Sequence, residues 1–122
     1  MGWLQNLFAG TPKVMPVHVD DRNFEAEILR SSQPVMIDFW SPTCGPCRML
    51  EPIVIDLATE FDGKIKVIEV NIADSPKVAQ RFGVMATPTV LYLQGGREIE
   101  RVVGFRGSLY HREIIETEIL KS

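Results

Sequence analysis

Apolar positions along this chain recur with two periods, near 2 and near 3.6 residues, and the two alternate between Val17 and Leu120. Val17-His18-Val19 reads as a short strand. Asp21 to Arg30 then reads as a helix, with Phe24, Ile28 and Leu29 on one face and Asp20 or Asp21 as its N-cap. After Gln33-Pro34, the run Val35-Met36-Ile37-Asp38-Phe39-Trp40 is a strand apolar on both faces, as the middle of a covered sheet requires; Asp38 is its one charge. Met49, Leu50, Ile53, Val54, Leu57, Ala58 and Phe61 carry a helical stripe from Cys44 to Phe61. Pro52 lies inside that stripe, which continues past it, so the expectation is a kink and not a break.

Asp62-Gly63 closes this helix and Lys64 to Ile72 forms the next strand. Ser75-Pro76 opens a short helix to Phe82, which Gly83 stops. Thr89 to Leu93 and Glu98 to Val103 flank Gln94-Gly95-Gly96-Arg97 and predict an antiparallel hairpin. Ser108 is the expected cap of a last helix running to about Leu120. The order β-α-β-α-β-α-β-β-α implies an α/β fold, a central mixed sheet of about five strands flanked by about four helices.

This unit takes in residues 15–122; residues 1–14 form an N-terminal extension with Gly10-Thr11-Pro12 as a linker. Trp3, Leu4, Leu7 and Phe8 fall on one side of a helical turn and a half. Such a helix could dock on a partner or a membrane surface, but a short helix packed on its own domain or frayed is the plainer reading. The start lacks the basic residues and unbroken apolar run of a secretory signal, and Asn6 stands where a myristoylation pattern wants Ser or Thr. The expectation is a cytoplasmic protein without a lipid anchor.

At 122 residues the chain has room for one domain, and 45% hydrophobic with 24% charged residues excludes disorder throughout. Thirteen Lys and Arg against sixteen Asp and Glu leave a net charge of -3, with no basic stripe for nucleic acid. No apolar stretch approaches the roughly 18 residues of a membrane span.

The chemistry concentrates in Cys44-Gly45-Pro46-Cys47, which holds both cysteines and lies where a buried strand gives way to a helix. A thiol at a helix N-terminus faces unpaired backbone N-H groups and the positive end of the helix dipole, which favours its thiolate. Cys44 is therefore the expected nucleophile. Cys47, one turn in, is close enough to close a disulfide with it and is the expected resolving thiol. Pro46 in the first turn costs no hydrogen bond and stiffens the ring. A purely structural disulfide across two intervening residues would restrict the unfolded chain very little, and a zinc site would need ligands that His18 and His111 are not spaced to give. His111 reads as a partly buried packing residue and His18 as solvated on an edge strand. Asp38, a carboxylate in an apolar strand, is costly unless neutral, hydrogen-bonded or used, which suggests a proton-handling role toward Cys47.

Phe39-Trp40-Ser41-Pro42-Thr43-Cys44-Gly45-Pro46-Cys47-Arg48 resembles the active-site signature of the thioredoxin family, and Ala86-Thr87-Pro88-Thr89 resembles that family's cis-proline loop. The resemblance covers roughly Val17 to Leu120, nearly the whole chain. It implies a thiol-disulfide oxidoreductase that reduces protein disulfides through a mixed disulfide, with Cys44 and Cys47 as the redox pair and Asp38 and Pro46 in the catalytic machinery. It further implies a substrate-binding surface of Trp40, Thr43, Gly45, Thr87, Pro88 and Gly104, and a cis bond before Pro88. No cofactor or metal is implied. The partners would be disulfide-containing proteins and a thioredoxin reductase as electron donor, and the protein a monomer.

Two positions depart from the family pattern. Thr43 stands where most members carry a tryptophan, and Glu69 where many bacterial members carry a lysine that pairs with the buried aspartate, although other members carry Glu there. A thioredoxin-like binding or assembly subunit with idle cysteines, and an exported oxidant or isomerase, are the alternative readings.

Overall fold

The computed structural model describes residues 12–121. The expected apolar turn of Trp3, Leu4, Leu7 and Phe8, with Asn6 and the Gly10 linker position, lies outside the described residues. Five strands, β1 (Val17–His18), β2 (Val35–Trp40), β3 (Lys66–Asn71), β4 (Thr89–Gln94) and β5 (Arg97–Val103), form one sheet in the order β1-β3-β2-β4-β5. β3 runs parallel to β1 and β2, and β4 antiparallel to β2 and β5, so the sheet is mixed as expected.

The helical elements are α1 (Glu25–Leu29), α2 (Gly45–Glu60), α3 (Pro76–Arg81) and α4 (Ser108–Ile114), the last continuing as a π-helical turn over Ile115–Ile119. Strand alternation divides the core in two. Met36, Val67, Val90 and Tyr92 meet Leu50, Val54 and Leu57 of α2 and Ile114 and Ile115 of the last helix. On the opposite face Ile37, Phe39, Ile68 and Leu91 meet Ile28 of α1 and Val78 of α3. Asp38, two residues from Met36, therefore faces α2. α2 runs unbroken through Pro52, as its continuing stripe requires.

At two helix starts the structure departs from the expectation. Asp20 and Asp21 do not cap α1, which is a single π-type turn preceded by Phe24. Asp20 is engaged in its own turn, accepting from the Arg22 amide at 2.9 Å. Asp21 instead accepts from the Val78 amide at 3.0 Å, so it caps α3 from 57 residues away. Ser108 does not cap α4 either; Gly107 holds the cap position with no side-chain bond. The Gly95-Gly96 turn has φ of +61° and +79°, left-handed at both positions as a two-residue hairpin of this hand requires.

Removing the Asp21 carboxylate orphans one of the first amides of α3, a buried-cap loss worth about 1 kcal/mol. Asp21→Ala is accordingly expected to lower the urea midpoint without changing its slope; an unmoved midpoint would deny the carboxylate a capping role.

His111, expected to be partly buried, is wholly buried at 0% exposure, and its Nδ1 shares a 2.6 Å hydrogen bond with the Tyr92 hydroxyl. Burial pushes its pKa down to about 4, so it packs as a neutral ring at neutral pH.

Candidate functional site

β2 delivers the chain to the α2 N-terminus through a short turn in which the Cys44 amide bonds the Ser41 carbonyl at 3.2 Å. Cys44 keeps extended backbone angles and is itself the N-cap residue, its Sγ accepting from the Cys47 amide at 3.2 Å. The sulfur thus occupies the place a capping oxygen takes at other helices, in the field of the unpaired first-turn amides. Gly45 and Pro46 fill the first two helical positions, where proline lacks nothing the helix would use.

Cys44 and Cys47 are joined by a disulfide, with Cα atoms 5.3 Å apart. They are 8% and 5% exposed, so accessibility hardly separates them. Their surroundings do. Cys47 lines a cleft of about 620 Å³ that also contains Asp38, Trp40, Glu51 and Glu69, whereas Cys44 lies outside it at the helix tip.

Asp38 is 5% exposed and its Oδ1 has no hydrogen-bond partner. Burial, reinforced by the negative charges of Glu69 and Glu51, pushes its pKa up to about 7. A carboxyl that holds or releases a proton near neutrality therefore sits in the same cleft as the inner sulfur. The neighbouring charge on β3 is thus a second carboxylate, Glu69. Glu69 accepts from the Trp40 indole Nε1 at 2.7 Å through Oε1 and meets His18 Nδ1 at 2.8 Å through Oε2.

The second part of the site is built from three segments. The Thr87-Pro88 bond is cis, as the loop's likeness implied. The Ser41 and Thr87 hydroxyls lie 3.3 Å apart, tying the turn before the cysteines to this loop, and the Gly104 amide donates to the Pro88 carbonyl at 2.8 Å. Gly104 has φ of +92°, and a Cβ built there would meet no atom within 4 Å; backbone conformation, not crowding, is what favours glycine. Trp40 is half-buried, while Thr43 and Gly45 are exposed beside the disulfide in sequence.

The expected site residues thus fall into two joined groups: the cysteine turn with Asp38 and Trp40, and Thr87, Pro88 and Gly104, with Ser41 as the link. His18 is exposed, as expected for an edge strand, and in addition bonds Glu69, a contact that no local sequence pattern reports. Among the described residues no group of three or more His, Cys, Asp or Glu side chains is placed to hold a metal ion, and no helix is long and apolar enough to cross a membrane.

Comparison with known proteins adds an independent line. The family model named Thioredoxin matches residues 15–116. The chain is 45% identical over 86 residues to Thioredoxin 1 of Nostoc sp., covering 70% of this chain and 80% of that one. It is 40% identical over 86 residues to the thioredoxin of Synechocystis sp., with the same coverage. It is 44% identical over 88 residues to the chloroplastic thioredoxin M5 of Oryza sativa subsp. japonica, covering 72% of this chain and 51% of that one.

Proposed function

This chain belongs to the thioredoxin family, and from that premise we propose how its residues divide the work of dithiol-disulfide exchange. The activity itself is that of a thiol-disulfide oxidoreductase that reduces protein disulfides. The observation that carries the division of roles is the placement of the two sulfurs: Cys44 caps α2, and Cys47 shares a cleft with buried Asp38.

In the reduced protein the Cys44 thiolate, favoured by the α2 N-terminus, attacks one sulfur of a target disulfide. A bond forms between Cys44 and the target, the target's S-S bond breaks, and the departing thiolate takes a proton from water. Cys47 then gives its proton to the Asp38 carboxylate by way of a water in the cleft they share, and attacks Cys44 Sγ. The Cys44-Cys47 disulfide re-forms and the second target sulfur leaves. Two electrons have passed to the target, and a thioredoxin reductase restores the dithiol. Gly45-Pro46 between the cysteines matches reducing members, whose potential is about -270 mV, against about -120 mV for strongly oxidising relatives.

Thr87 and Gly104, with Trp40, Thr43 and Gly45, form the surface on which the target chain lies, and Pro88, buried in this structure, holds the loop behind it. The backbone of residue 87 is the part of this loop assigned to pair with a substrate strand. We assign residues 15–122 to the catalytic domain and residues 1–14 to an extension, and take the protein to act as a cytoplasmic monomer. A reducing compartment keeps such a pair in its working dithiol form. The plastid location in the names of M-type relatives makes fractionation the test of this assignment.

Thr43 bears on which partners dock. A tryptophan would add a broad apolar face at the rim without touching the sulfurs or Asp38. Thr43→Trp is expected to change KM for a protein substrate or a thioredoxin reductase about fivefold, the equivalent of ~1 kcal/mol, with little effect on the rate with a small dithiol. Steady-state kinetics on both kinds of substrate decide it. A large change confined to the small dithiol would make Thr43 a modulator of the Cys44 thiolate instead.

A further inference from the structure

Three of the chain's ionisable side chains stand in one row across the sheet. His18 of β1 is the register partner of Glu69 of β3, and Glu69 is the register partner of Asp38 of β2. Register partners project to the same face, and neighbouring strands lie about 4.8 Å apart, so the three point toward the α2 side together. On the far side of Asp38 the row continues through Val90 and Val102, which are apolar and buried. Every charge within this row that acts on Asp38 therefore comes from the β3-β1 side.

Glu69 is held at both oxygens. The Trp40 indole fixes Oε1 and the His18 ring fixes Oε2, leaving the carboxylate 24% exposed beside the Asp38 carboxyl. His18 is the only member of the row that solvent reaches freely, at 57% exposure. We propose that His18, through the Glu69 carboxylate it holds, sets how readily Asp38 accepts a proton, so that the charge on an exposed imidazole tunes the resolving step at Cys47. The inference rests on the proton-accepting role of Asp38 proposed above and names the residues that position it.

The electrostatic logic is linkage among neighbouring sites. A protonated His18 neutralises Glu69 and spares Asp38 the repulsion of a like charge. When His18 loses its proton, the Glu69 charge stands alone and Asp38 holds its proton more tightly. The bond to Glu69 raises the His18 pKa above its ordinary value against some desolvation, with Glu69, Asp20 and Asp74 adding negative charge nearby. Arg22 ties up Asp20 at 3.0 Å. The other charges bordering Asp38 are Glu51, which also raises it, and Arg48, both from α2 and both lining the cleft.

The test is a pH titration of the Asp38 carboxyl by carbon NMR in the full-length oxidised protein. Glu69→Gln keeps the bond to Trp40 within reach and removes the charge, and is expected to lower the Asp38 midpoint by about one pH unit. His18→Gln leaves the Glu69 charge without its counter-charge and is expected to raise the midpoint. Added to Glu69→Gln, it is expected to do nothing more. In turnover the pH profile of mixed-disulfide resolution moves up with the midpoint in His18→Gln. Midpoints identical in wild type and both single variants, or a uniform loss of rate with the profile unmoved, overturn the proposal. These midpoints belong to the resting protein, so they are read whether or not Asp38 proves to act in turnover, which Asp38→Asn kinetics decide separately.

Discussion

Cys47→Ser is expected to turn the protein into a trap: incubated with a disulfide-bonded protein, it accumulates a covalent complex through Cys44, and turnover falls by at least about a thousandfold. The first exchange needs only the thiol at the helix tip, whose thiolate is favoured by the first-turn amides of α2. The second needs a thiol placed to attack Cys44 Sγ, and in the oxidised protein that position belongs to Cys47. Without it the mixed disulfide has no internal exit. Cys44→Ser is expected to lose turnover as fully but to trap very little, because Cys47 lies inside the helix beside Asp38 and its thiolate lacks the cap position that favours that of Cys44. Non-reducing gels with mass spectrometry of the adduct read the difference. Equal trapping by the two variants would reverse or dissolve the assignment.

The second large effect concerns Asp38. Its folded pKa of about 7 stands above an unfolded value of about 3.9, so the folded protein binds this proton more tightly than the unfolded chain does. The stability that difference supplies is fully present below about pH 4 and is lost as the pH rises through 7. Asp38→Asn removes that dependence. Its amide leaves polar atoms incompletely paired where Oδ1 already lacks a partner, so the gain is expected to be partial. At pH 8 the oxidised variant should be more stable than wild type by about 1–3 kcal/mol, with the difference shrinking toward pH 4. Resolution of the mixed disulfide should slow on the order of a hundredfold, since the residue that takes the Cys47 proton is gone. Denaturation curves at pH 5 and pH 8 with single-turnover release rates test both halves. A variant less stable than wild type at pH 8 would contradict the buried-charge account.

What the sequence made legible follows from which interactions are local or periodic. β2 and α2 could be placed because a doubly apolar run and a 3.6-residue stripe survive any detail of packing, and Pro52 proved compatible with an unbroken helix as that stripe required. The β4-β5 turn was readable because Gly95-Gly96 is a local conformational demand. Ser108 and Asp21 depart from the expected caps for the opposite reason. Each stands where a cap belongs by local rule, yet the Asp21 carboxylate finds an amide of α3 far along the chain, and α4 starts without a side-chain bond. His111 showed its burial only once Tyr92 was seen opposite it.

The candidate site divides in the same way. The Cys44-Cys47 spacing, the helix start and the isolated charge of Asp38 are features of short segments, and they needed no tertiary knowledge. The clamp on Glu69 depends on the register of three strands, 51 residues separating His18 from Glu69 and 29 separating Trp40 from it. Nothing in a local pattern reports such a register. The departure at Glu69 was visible as a residue type, but what the structure adds is the partner on each of its oxygens.

Protein-disulfide reduction is catalysed by the Cys44-Cys47 pair. The direct measurement is the rate at which a disulfide-bonded protein is reduced by excess dithiothreitol, with catalytic amounts of wild-type protein and of Cys44→Ser. Wild type is predicted to accelerate the reaction in proportion to its concentration, and Cys44→Ser to leave it at the uncatalysed rate. Equal acceleration by the two proteins would contradict the account.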